Sequence, residues 1–361
     1  MRALAAFALA AGLLAAAGPA AAAAPRPGPD ARKALDTALA QYHKASFQDA
    51  LRNFTKAIAL FSDWKTASGH RAMCRWNLGD QAGAESDAQL AAKLRPNDVS
   101  SYVARGKARF VLKDFPAAIA DFAEALALDR DCADAYFGLG SVYSAKGELK
   151  KARHQLDQAL RIDSESAAAL LVRGGVHDKL KEFDSAVKDY DRVLTINPDF
   201  SWAYFYRANS YRELKEFRLA LADLDAFLET HPNMTDGVYL RSNVRFLLGD
   251  FGGAEADLSR VIELDPKRGL AYSNRGQARA QLGDRAGALR DLRQAMELDP
   301  DKKDKIQAAI DRISSGDAAS GPEAAPGAAA APAGKWVPPA QESEPQPALE
   351  PESSGSAVII E

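Results

Sequence analysis

Apolar side chains recur along the chain as two short helical stripes separated by a turn, most clearly in Ala133–Ser166. The first stripe has apolar or small residues at i, i+3, i+4 and i+7, namely Tyr136, Leu139, Gly140 and Tyr143. The second stripe follows Gly147 and comprises Ala152, Leu156 and Ala159. Two such helices form an αα-hairpin, and one hairpin alone cannot bury both of its apolar faces. The pattern therefore predicts a stack of hairpins.

The pattern returns every 34 residues, and its most regular position is an alanine. The predicted repeats start at Ala31, Lys65, Val99, Ala133, Ala167, Ser201, Thr235 and Gly269. Position 20 is alanine in every copy: Ala50, Ala84, Ala118, Ala152, Ala186, Ala220, Ala254 and Ala288. Position 8 is always small: Ala38, Ala72, Gly106, Gly140, Gly174, Ala208, Ser242 and Gly276. Small residues at both positions let the two helix backbones approach closely.

Two further positions complete the repeat. Position 24 is large in every copy except that of Ala88 and is predicted to fill the seam with Phe54, Phe122, Leu156, Tyr190, Leu224, Leu258 and Leu292. Position 32 is a helix-ending proline at Pro96, Pro198, Pro232, Pro266 and Pro300. Together these positions resemble the tetratricopeptide repeat (TPR), over Ala31–Asp301 and without insertion. The resemblance implies an all-α, right-handed α-solenoid of helix-turn-helix repeats.

The sequence predicts eight repeats between a short linker (25–30) and a capping helix. Their boundaries are 31–64, 65–98, 99–132, 133–166, 167–200, 201–234, 235–268 and 269–302. Residues 303–314 carry Ile306, Ile310 and Ile313 on one face, as expected of a helix that shields the open end of a solenoid. The tail 315–361 is dominated by Ala, Pro, Gly, Ser and Glu, so we expect it to be disordered.

Residues 1–24 are typical of a secretory signal peptide. Arg2 precedes an apolar run, and a Gly18-Pro19 break leads into an alanine tract that satisfies A-x-A. A membrane anchor is disfavoured, because the run is short and rich in alanine. We therefore expect an exported protein, either periplasmic or secreted, without a membrane span.

Charge excludes an electrostatic nucleic-acid binder. The whole chain has a net charge of −3, and the tail alone contributes −6 because its acidic residues face only Lys335. The repeats are accordingly near neutral and carry no basic stripe. No nucleic-acid partner is expected.

Candidate chemistry is scarce. The two cysteines, Cys74 and Cys132, lie at different repeat positions and are not expected to form a disulfide. The five histidines show no metal-ligand spacing, and the sequence has no phosphate loop, nucleophile elbow or carboxylate constellation. We therefore predict no enzymatic activity, no catalytic residue, no metal and no cofactor.

Arginine and aspartate co-occur within repeats. Position 7 is Arg71, Arg105, Arg173, Arg207, Arg241 and Arg275, whereas position 23 of the same copies is Asp87, Asp121, Asp189, Asp223, Asp257 and Asp291. The two copies that lack the arginine also lack the aspartate. This favours an ion pair between the two helices of one repeat over an anion-binding ladder.

The TPR resemblance implies a concave groove lined by the first helices at repeat positions 2, 5, 9, 12 and 13. The amino-terminal half places there Leu35, Leu39, Tyr42, Met73, Trp76, Val103, Phe110, Val111 and Phe137. The carboxy-terminal half places there Trp202, Phe205, Asn209, Arg212, Tyr239, Asn243, Phe246, Leu247, Leu270 and Gln277. Apolar residues that the fold need not bury indicate a patch for a partner. The alternative, that several pack on neighbouring first helices, stays open, above all for Tyr42, Trp76 and Phe110.

Side-chain amides at position 9 form a second candidate feature. Asn209, Asn243 and Gln277 stack in consecutive repeats, and each amide offers a donor and an acceptor to the backbone of an extended peptide. Asn243 and Asn274 also match two positions of the family's clamp for a terminal carboxylate, but the cationic residues of that clamp are missing. We do not expect that activity.

These observations predict a non-catalytic scaffold that binds a peptide or protein segment in its concave groove, in cell-envelope assembly or a secreted complex. The predicted groove residues are Trp76, Phe110, Phe137, Trp202, Phe205, Asn209, Arg212, Tyr239, Asn243, Phe246 and Gln277. The alternative is a regulatory or substrate-presenting subunit of an enzyme complex. Self-association is also open, because solenoid ends can pair.

Overall fold

The computed structural model describes residues 26–62 and 64–315, which form an all-α solenoid of paired helices. The first helices of the pairs are α1 (Pro29–His43), α3 (Lys65–Asn77), α5 (Val99–Val111), α7 (Ala133–Ala145), α9 (Ala167–Lys179), α11 (Trp202–Glu213), α13 (Thr235–Leu247) and α15 (Gly269–Gln281). The second helices are α2 (Phe47–Leu60), α4 (Gln81–Ala91), α6 (Phe115–Leu128), α8 (Leu149–Ile162), α10 (Phe183–Ile196), α12 (Phe217–Thr230), α14 (Phe251–Leu264) and α16 (Arg285–Leu298). A 3₁₀ turn, Pro300–Lys302, and α17 (Lys303–Ser315) follow. The predicted signal peptide and residues 316–361 of the predicted tail lie outside the described residues.

The seam between paired helices is built as the repeat positions predict. All eight alanines at position 20 and all seven large residues at position 24 are buried. A Cβ atom added at Gly140 would lie 2.6 Å from Leu156 Cγ, and one at Gly174 would lie 2.6 Å from Tyr190 Cε1. Position 8 is therefore small because the large side chain at position 24 fills the space opposite it. The predicted seam is confirmed.

Each described helix pair turns at repeat position 15, where the backbone adopts a positive φ. Glycine takes this conformation without strain at four of the sites, Gly147 (φ +73°) among them. The other four sites hold Ala45, Lys113, Lys181 and Lys215. In several repeats the aspartate at position 16 then starts the second helix, as where the Asp250 carboxylate accepts the Gly253 N–H at 2.9 Å. The hairpin turn is thus set locally and repeats along the stack.

The predicted ion pair within each repeat is confirmed in all six copies that carry it. Arg241 donates from Nε (3.0 Å) and Nη2 (2.7 Å) to the two oxygens of Asp257. In four of these copies the arginine at position 11 binds the same aspartate, as Arg245 Nη1 does at 2.8 Å. The buried carboxylate therefore lies between two guanidinium groups of the first helix.

The same arginines also connect neighbouring repeats. Arg241 Nη1 donates to Asp225 of the preceding repeat at 2.9 Å, and Arg173 and Arg207 make the equivalent bonds to Asp157 and Asp191. In these three copies the arginine thus binds carboxylates of two repeats, the position-23 aspartate of its own repeat and the position-25 aspartate of the repeat before it. A guanidinium group has enough donors for two carboxylates at once.

The carboxy-terminal end is covered as predicted. Ile306, Ile310 and Ile313 of α17 are buried against α16, where they meet Leu292 and Ala295. The capping helix thus shields the apolar face that the last helix pair would expose. None of the helices within residues 26–62 and 64–315 is long and apolar enough to cross a membrane.

The amino-terminal half coils back on itself. α3 packs directly on α5, where a Cβ atom added at Gly69 would lie 2.3 Å from the Ala104 carbonyl oxygen. Farther along the stack, the turn after α1 reaches the loops that precede α9 and α11. Asn197 Nδ2 donates to the Lys44 carbonyl oxygen at 3.1 Å. Helices distant in sequence are therefore neighbours, which the repeat pattern alone does not predict.

Candidate peptide-binding groove

The predicted groove residues of the amino-terminal half are covered by the chain itself. Phe110 and Phe137 are buried, and the half-buried Trp76 packs edge-on against Phe110 with ring centroids 6.2 Å apart. Tyr42, at the end of α1, lies edge-on to Phe137 at 6.4 Å. Phe110 and Phe137 thus lie in the interior, and for Phe110 the packing on neighbouring helices matches the alternative left open by the sequence.

A buried ionic cluster fills the centre of this half. Lys107, only 2% exposed, donates from Nζ to Asp134 at 2.8 Å and lies 3.2 Å from His70 Nδ1. Its ammonium also lies over the Tyr42 ring, 5.1 Å from the centroid. His43 bridges two carboxylates, with Nε2 at 3.5 Å from Asp134 and Nδ1 at 3.3 Å from the Asp163 side chain. The polar groups that would meet a ligand in an open groove satisfy one another.

The cluster perturbs its two histidines in opposite directions. Burial, reinforced by the positive charge of Lys107, lowers the pKa of His70 to about 3. Burial alone would also lower the pKa of His43, but the carboxylates of Asp134 and Asp163 outweigh it and raise the value to about 9. Burial likewise opposes the charge of Asp134, yet Lys107 and His43 hold the pKa of that carboxyl well below its ordinary value. At neutral pH His43 is therefore charged and His70 neutral.

The coiled-back arrangement is expected to weaken as the pH rises from 6.5 through 9. The pKa of His43 is raised to about 9 in the folded protein, so its contribution to stability is complete below the unfolded value and is lost as the imidazolium deprotonates. Because the side chain is 31% exposed, we expect a loss of about 1–2 kcal/mol in the free energy of unfolding. Urea unfolding followed by fluorescence of Trp64 and Trp76 measures it.

The matched control for this pH dependence is His43→Gln, which keeps a polar side chain but removes the titration. The decline between pH 6.5 and 9 should disappear in that variant. An equally steep decline in both proteins would contradict the assignment to His43. The acid side is less diagnostic, because every Arg–Asp pair also loses its charge there.

Sequence reasoning missed this cluster and treated the histidines singly. One signal was available, since Lys107 at position 9 and Asp134 at position 2 are opposite charges at groove positions of adjacent repeats. The sequence gives no such signal for His43 and Asp163. They are 120 residues apart and come together only because the solenoid coils back on itself.

In the carboxy-terminal half, the predicted groove residues divide into a half-buried set and a buried set, which we call the floor. Phe205, Asn209, Arg212, Phe246 and Gln277 are half-buried and can contact a ligand. In contrast, Trp202, Tyr239 and Asn243 are buried, so these three are not exposed in the free protein, and their contact with a ligand stays a prediction. Trp202 lies between Phe205 and Phe227, with ring centroids 5.8 and 5.2 Å away, so it supports the groove from below.

Two side-chain amides in this floor have unmet hydrogen-bonding capacity. Asn243 is 1% exposed and its Nδ2 has no partner, whereas Asn274 is 1% exposed and its Oδ1 has none. Asn274 Nδ2 donates to the Tyr239 hydroxyl at 2.9 Å, which fixes the amide. The Arg268 guanidinium lies over the Tyr239 ring, 4.4 Å from the centroid. Buried polar groups are normally paired, so this donor and this acceptor are candidate contacts for a ligand.

Asp178 is a groove residue that the prediction overlooked. It occupies position 12 of its repeat, where other repeats carry aromatic side chains, and accepts from Tyr190 Oη (2.7 Å) and Ser210 Oγ (2.6 Å). Burial raises the pKa of Asp178 to about 6, although these two hydrogen bonds oppose the shift. The carboxyl therefore links α9 to α10 and α11.

The described residues offer no other reactive centre. Both cysteines are free thiols, as predicted, and burial raises the pKa of Cys74 to about 12. Within the described ranges, no group of three or more His, Cys, Asp or Glu residues is placed to hold a metal ion. The geometry thus points to recognition by hydrogen bonds and apolar contacts.

Sequence profiles for one repeat family match most of the chain. A profile described as "Tetratricopeptide repeat" matches residues 35–99, 103–163, 142–199 and 206–268. A second profile with the same description matches residues 269–302. A comparison with curated proteins gives no match.

Solved structures with similar folds include several TPR proteins. The Cut9–Hcn1 hetero-tetramer of the APC/C aligns over 78% of this chain and 55% of that one, with 13% identity and a TM-score of 0.61. YrrB, described as "a TPR protein with an unusual peptide-binding site", aligns over 53% of this chain and 97% of its own, with 23% identity and a TM-score of 0.48. MamA aligns over 47% and 93%, with 19% identity and a TM-score of 0.45. At these identities the likeness concerns the fold alone.

Proposed function

The chain belongs to the tetratricopeptide repeat family, and from that membership we propose that it is an eight-repeat scaffold that binds an extended peptide segment in its carboxy-terminal groove. TPR folds serve protein–protein interaction, and proteins built from them are generally non-catalytic. The finer proposal concerns which part of the concave surface binds and what kind of segment it takes.

The unsatisfied amides carry this proposal. Asn243 offers a donor and Asn274 an acceptor, and both are desolvated already in the free protein. A peptide backbone supplies a carbonyl oxygen and an N–H group in every residue, so it can satisfy both amides at once whatever its side chains are. Leaving a buried amide unpaired costs about 1–3 kcal/mol per group, and a ligand that pairs it recovers that energy.

The surrounding side chains add anchoring and charge. Phe205 and Phe246 line the accessible groove and offer apolar surface to large ligand side chains. Arg212 also lies there, with only 15% of its side chain exposed and Glu213 paired to it at the rim. Asn209 and Gln277 continue the amide row on either side of Asn243. The proposed ligand is therefore an extended segment with apolar side chains.

Asn243→Ala is expected to weaken peptide binding about fivefold to tenfold, because one hydrogen bond to a buried amide contributes about 1 kcal/mol. The probes are synthetic dodecamers selected from a random library on the wild-type protein. Their dissociation constants are measured by fluorescence anisotropy.

The matched control is Asn233→Ala, which removes an amide from an exposed loop, where Asn233 Oδ1 accepts from Arg260 Nη2. It should leave affinity unchanged. Equal affinities for wild type, Asn243→Ala and Asn274→Ala would remove the groove as the binding site. Circular dichroism must show that each variant is folded.

We also propose that the scaffold works outside the cytoplasm, in the periplasm or after secretion, in envelope assembly or a secreted complex. This rests on residues 1–24, where one early arginine, an apolar run and an alanine tract have the order of a signal peptide.

A further inference from the structure

The turn between α1 and α2 packs against later repeats of the same chain. This amino-terminal turn, Tyr42–Phe47, lies against a surface that we call the receiving face. The receiving face consists of Asp134, Phe137, Asp163, Asn197 and Phe200, which come from α7 and from the loops before α9 and α11. The contacting residues of the two surfaces are 91–153 positions apart in sequence.

The contact has three parts. The Phe47 and Phe200 rings meet edge-on at 5.9 Å. His43 reaches Asp163 at 3.3 Å and Asp134 at 3.5 Å. Asn197 donates to the Lys44 carbonyl oxygen at 3.1 Å. Aromatic, ionic and backbone contacts are thus combined within a stretch of six residues.

The packing of this contact is looser than that of the repeat seam. A small cavity lies between the two surfaces, lined by Tyr42, His43, Asp134, Phe137 and Asp163 among others. The side chains of His43 and Asp163 remain 31% and 35% exposed. By contrast, the alanines and large residues of the seam are buried in every described pair. The aromatic part is closely packed, since Tyr42 and Phe47 are 2% and 4% exposed, so the partly solvated region is the ionic part. A small contact with such a region can open locally while the helix pairs on both sides stay folded.

We propose that the receiving face is a docking surface for a segment in which two aromatic residues flank a basic one, and that the amino-terminal turn is its intramolecular occupant, displaced by a partner segment of that chemistry. The charges complement each other, since His43 faces the Asp134 and Asp163 carboxylates of the receiving face. Phe137 and Phe200 receive the two aromatic side chains of the turn, Tyr42 and Phe47. A competing segment must supply the same two kinds of group.

This surface is separate from the carboxy-terminal groove and does not depend on the function proposed for it. The turn is tethered, so a free segment competes against a local concentration on the order of millimolar. Displacement therefore needs either a partner segment that binds the receiving face more tightly than the turn does, or a turn that binds it more weakly. The second condition can be arranged by mutation.

The test uses a fluorescein-labelled peptide with the sequence of residues 38–51 and the full-length protein. The variant His43→Ala/Phe47→Leu weakens the contact between the turn and the receiving face. It leaves apolar side chains at these positions of α1 and α2, so the helix pair itself is kept. We expect this variant to bind the peptide about tenfold to a hundredfold more tightly than wild type does, by fluorescence anisotropy. The rate of amide hydrogen exchange at residues 163–170 should rise in the same variant, because the amino-terminal turn covers the receiving face less tightly.

Variants of the receiving face provide the decisive comparison. Adding Asp163→Ala and Phe200→Ala to the weakened protein should abolish peptide binding. Asp131→Ala, an exposed carboxylate in a nearby loop, should not change it. Asn243→Ala should also leave it unchanged, which separates this site from the carboxy-terminal groove. Equal peptide affinity of wild-type and weakened protein, or binding that survives loss of Asp163 and Phe200, would overturn the proposal.

Discussion

Replacing Asp257 by alanine is expected to lower the free energy of unfolding by about 3 kcal/mol. The Asp257 side chain is 7% exposed and accepts from both Arg241 and Arg245. Its removal leaves two guanidinium groups, each about a fifth exposed, without the carboxylate that pairs them. Breaking a buried pair from one side costs about 3–5 kcal/mol, and the partial exposure of the arginines places the estimate at the low end. Urea denaturation followed by circular dichroism measures the change.

Asp225→Ala is the matched control within the same network. Asp225 also accepts from Arg241, but its side chain is 49% exposed. Losing an exposed ion pair costs about 0–1 kcal/mol, because solvent screens both charges. Similar losses for the two variants would mean that burial does not set the strength of this pair.

Phe122→Ala is expected to cost about 4 kcal/mol, the largest effect of a single truncation considered for this fold. The ring is fully buried at position 24 and lies against two glycines from successive first helices. A Cβ atom would lie 2.7 Å from the ring at Gly106 in α5 and 2.3 Å from it at Gly138 in α7. Truncation therefore opens a cavity shared by two repeats. Calorimetric unfolding and urea titration measure the loss.

A double substitution distinguishes packing from a general loss of apolar area. Gly138→Ala alone should destabilise, because its methyl group would overlap the Phe122 ring. In a Phe122→Leu background the same methyl group has more room. Gly138→Ala should therefore lower the free energy of unfolding by less in that background than in the wild type. Additive costs would show that the ring and the glycine do not share this space.

The repeat seam was predictable because it is local. Ala152, Leu156 and Gly140 meet within one hairpin, so their types follow from the spacing of two helices and recur every 34 residues. The pairing of Arg173 with Asp189 was predictable for the same reason, since both members come from one repeat. A feature repeated in several copies allows alternatives to be tested within a single sequence.

The exposure of the predicted groove residues was less predictable, because it depends on how tightly successive repeats coil. Position 5 faces the concave side in the family, yet Tyr239 at that position is buried, whereas Phe205 at the same position is half-buried. Tyr239 is covered by Asn274 of the next repeat and by Arg268 at the end of its own repeat. In the same way, α3 approaches α5 closely at Gly69, and α1 meets α9, which belongs to the fourth helix pair after its own. The periodicity within one repeat carries no information about contacts between repeats that are distant in sequence.

The meeting of α1 with α9 changes how this array should fold. In an open stack each repeat depends only on the two beside it, so melting can begin at either end and proceed stepwise. Here His43 and Asp163 join residues 120 positions apart, which makes the early repeats one cooperative unit and lengthens the search for native contacts. Deleting the first hairpin would therefore release helices far beyond its neighbour. The amino-terminal repeats form a closed loop, in which the contact between the first and the later repeats adds to the stability of each helix pair.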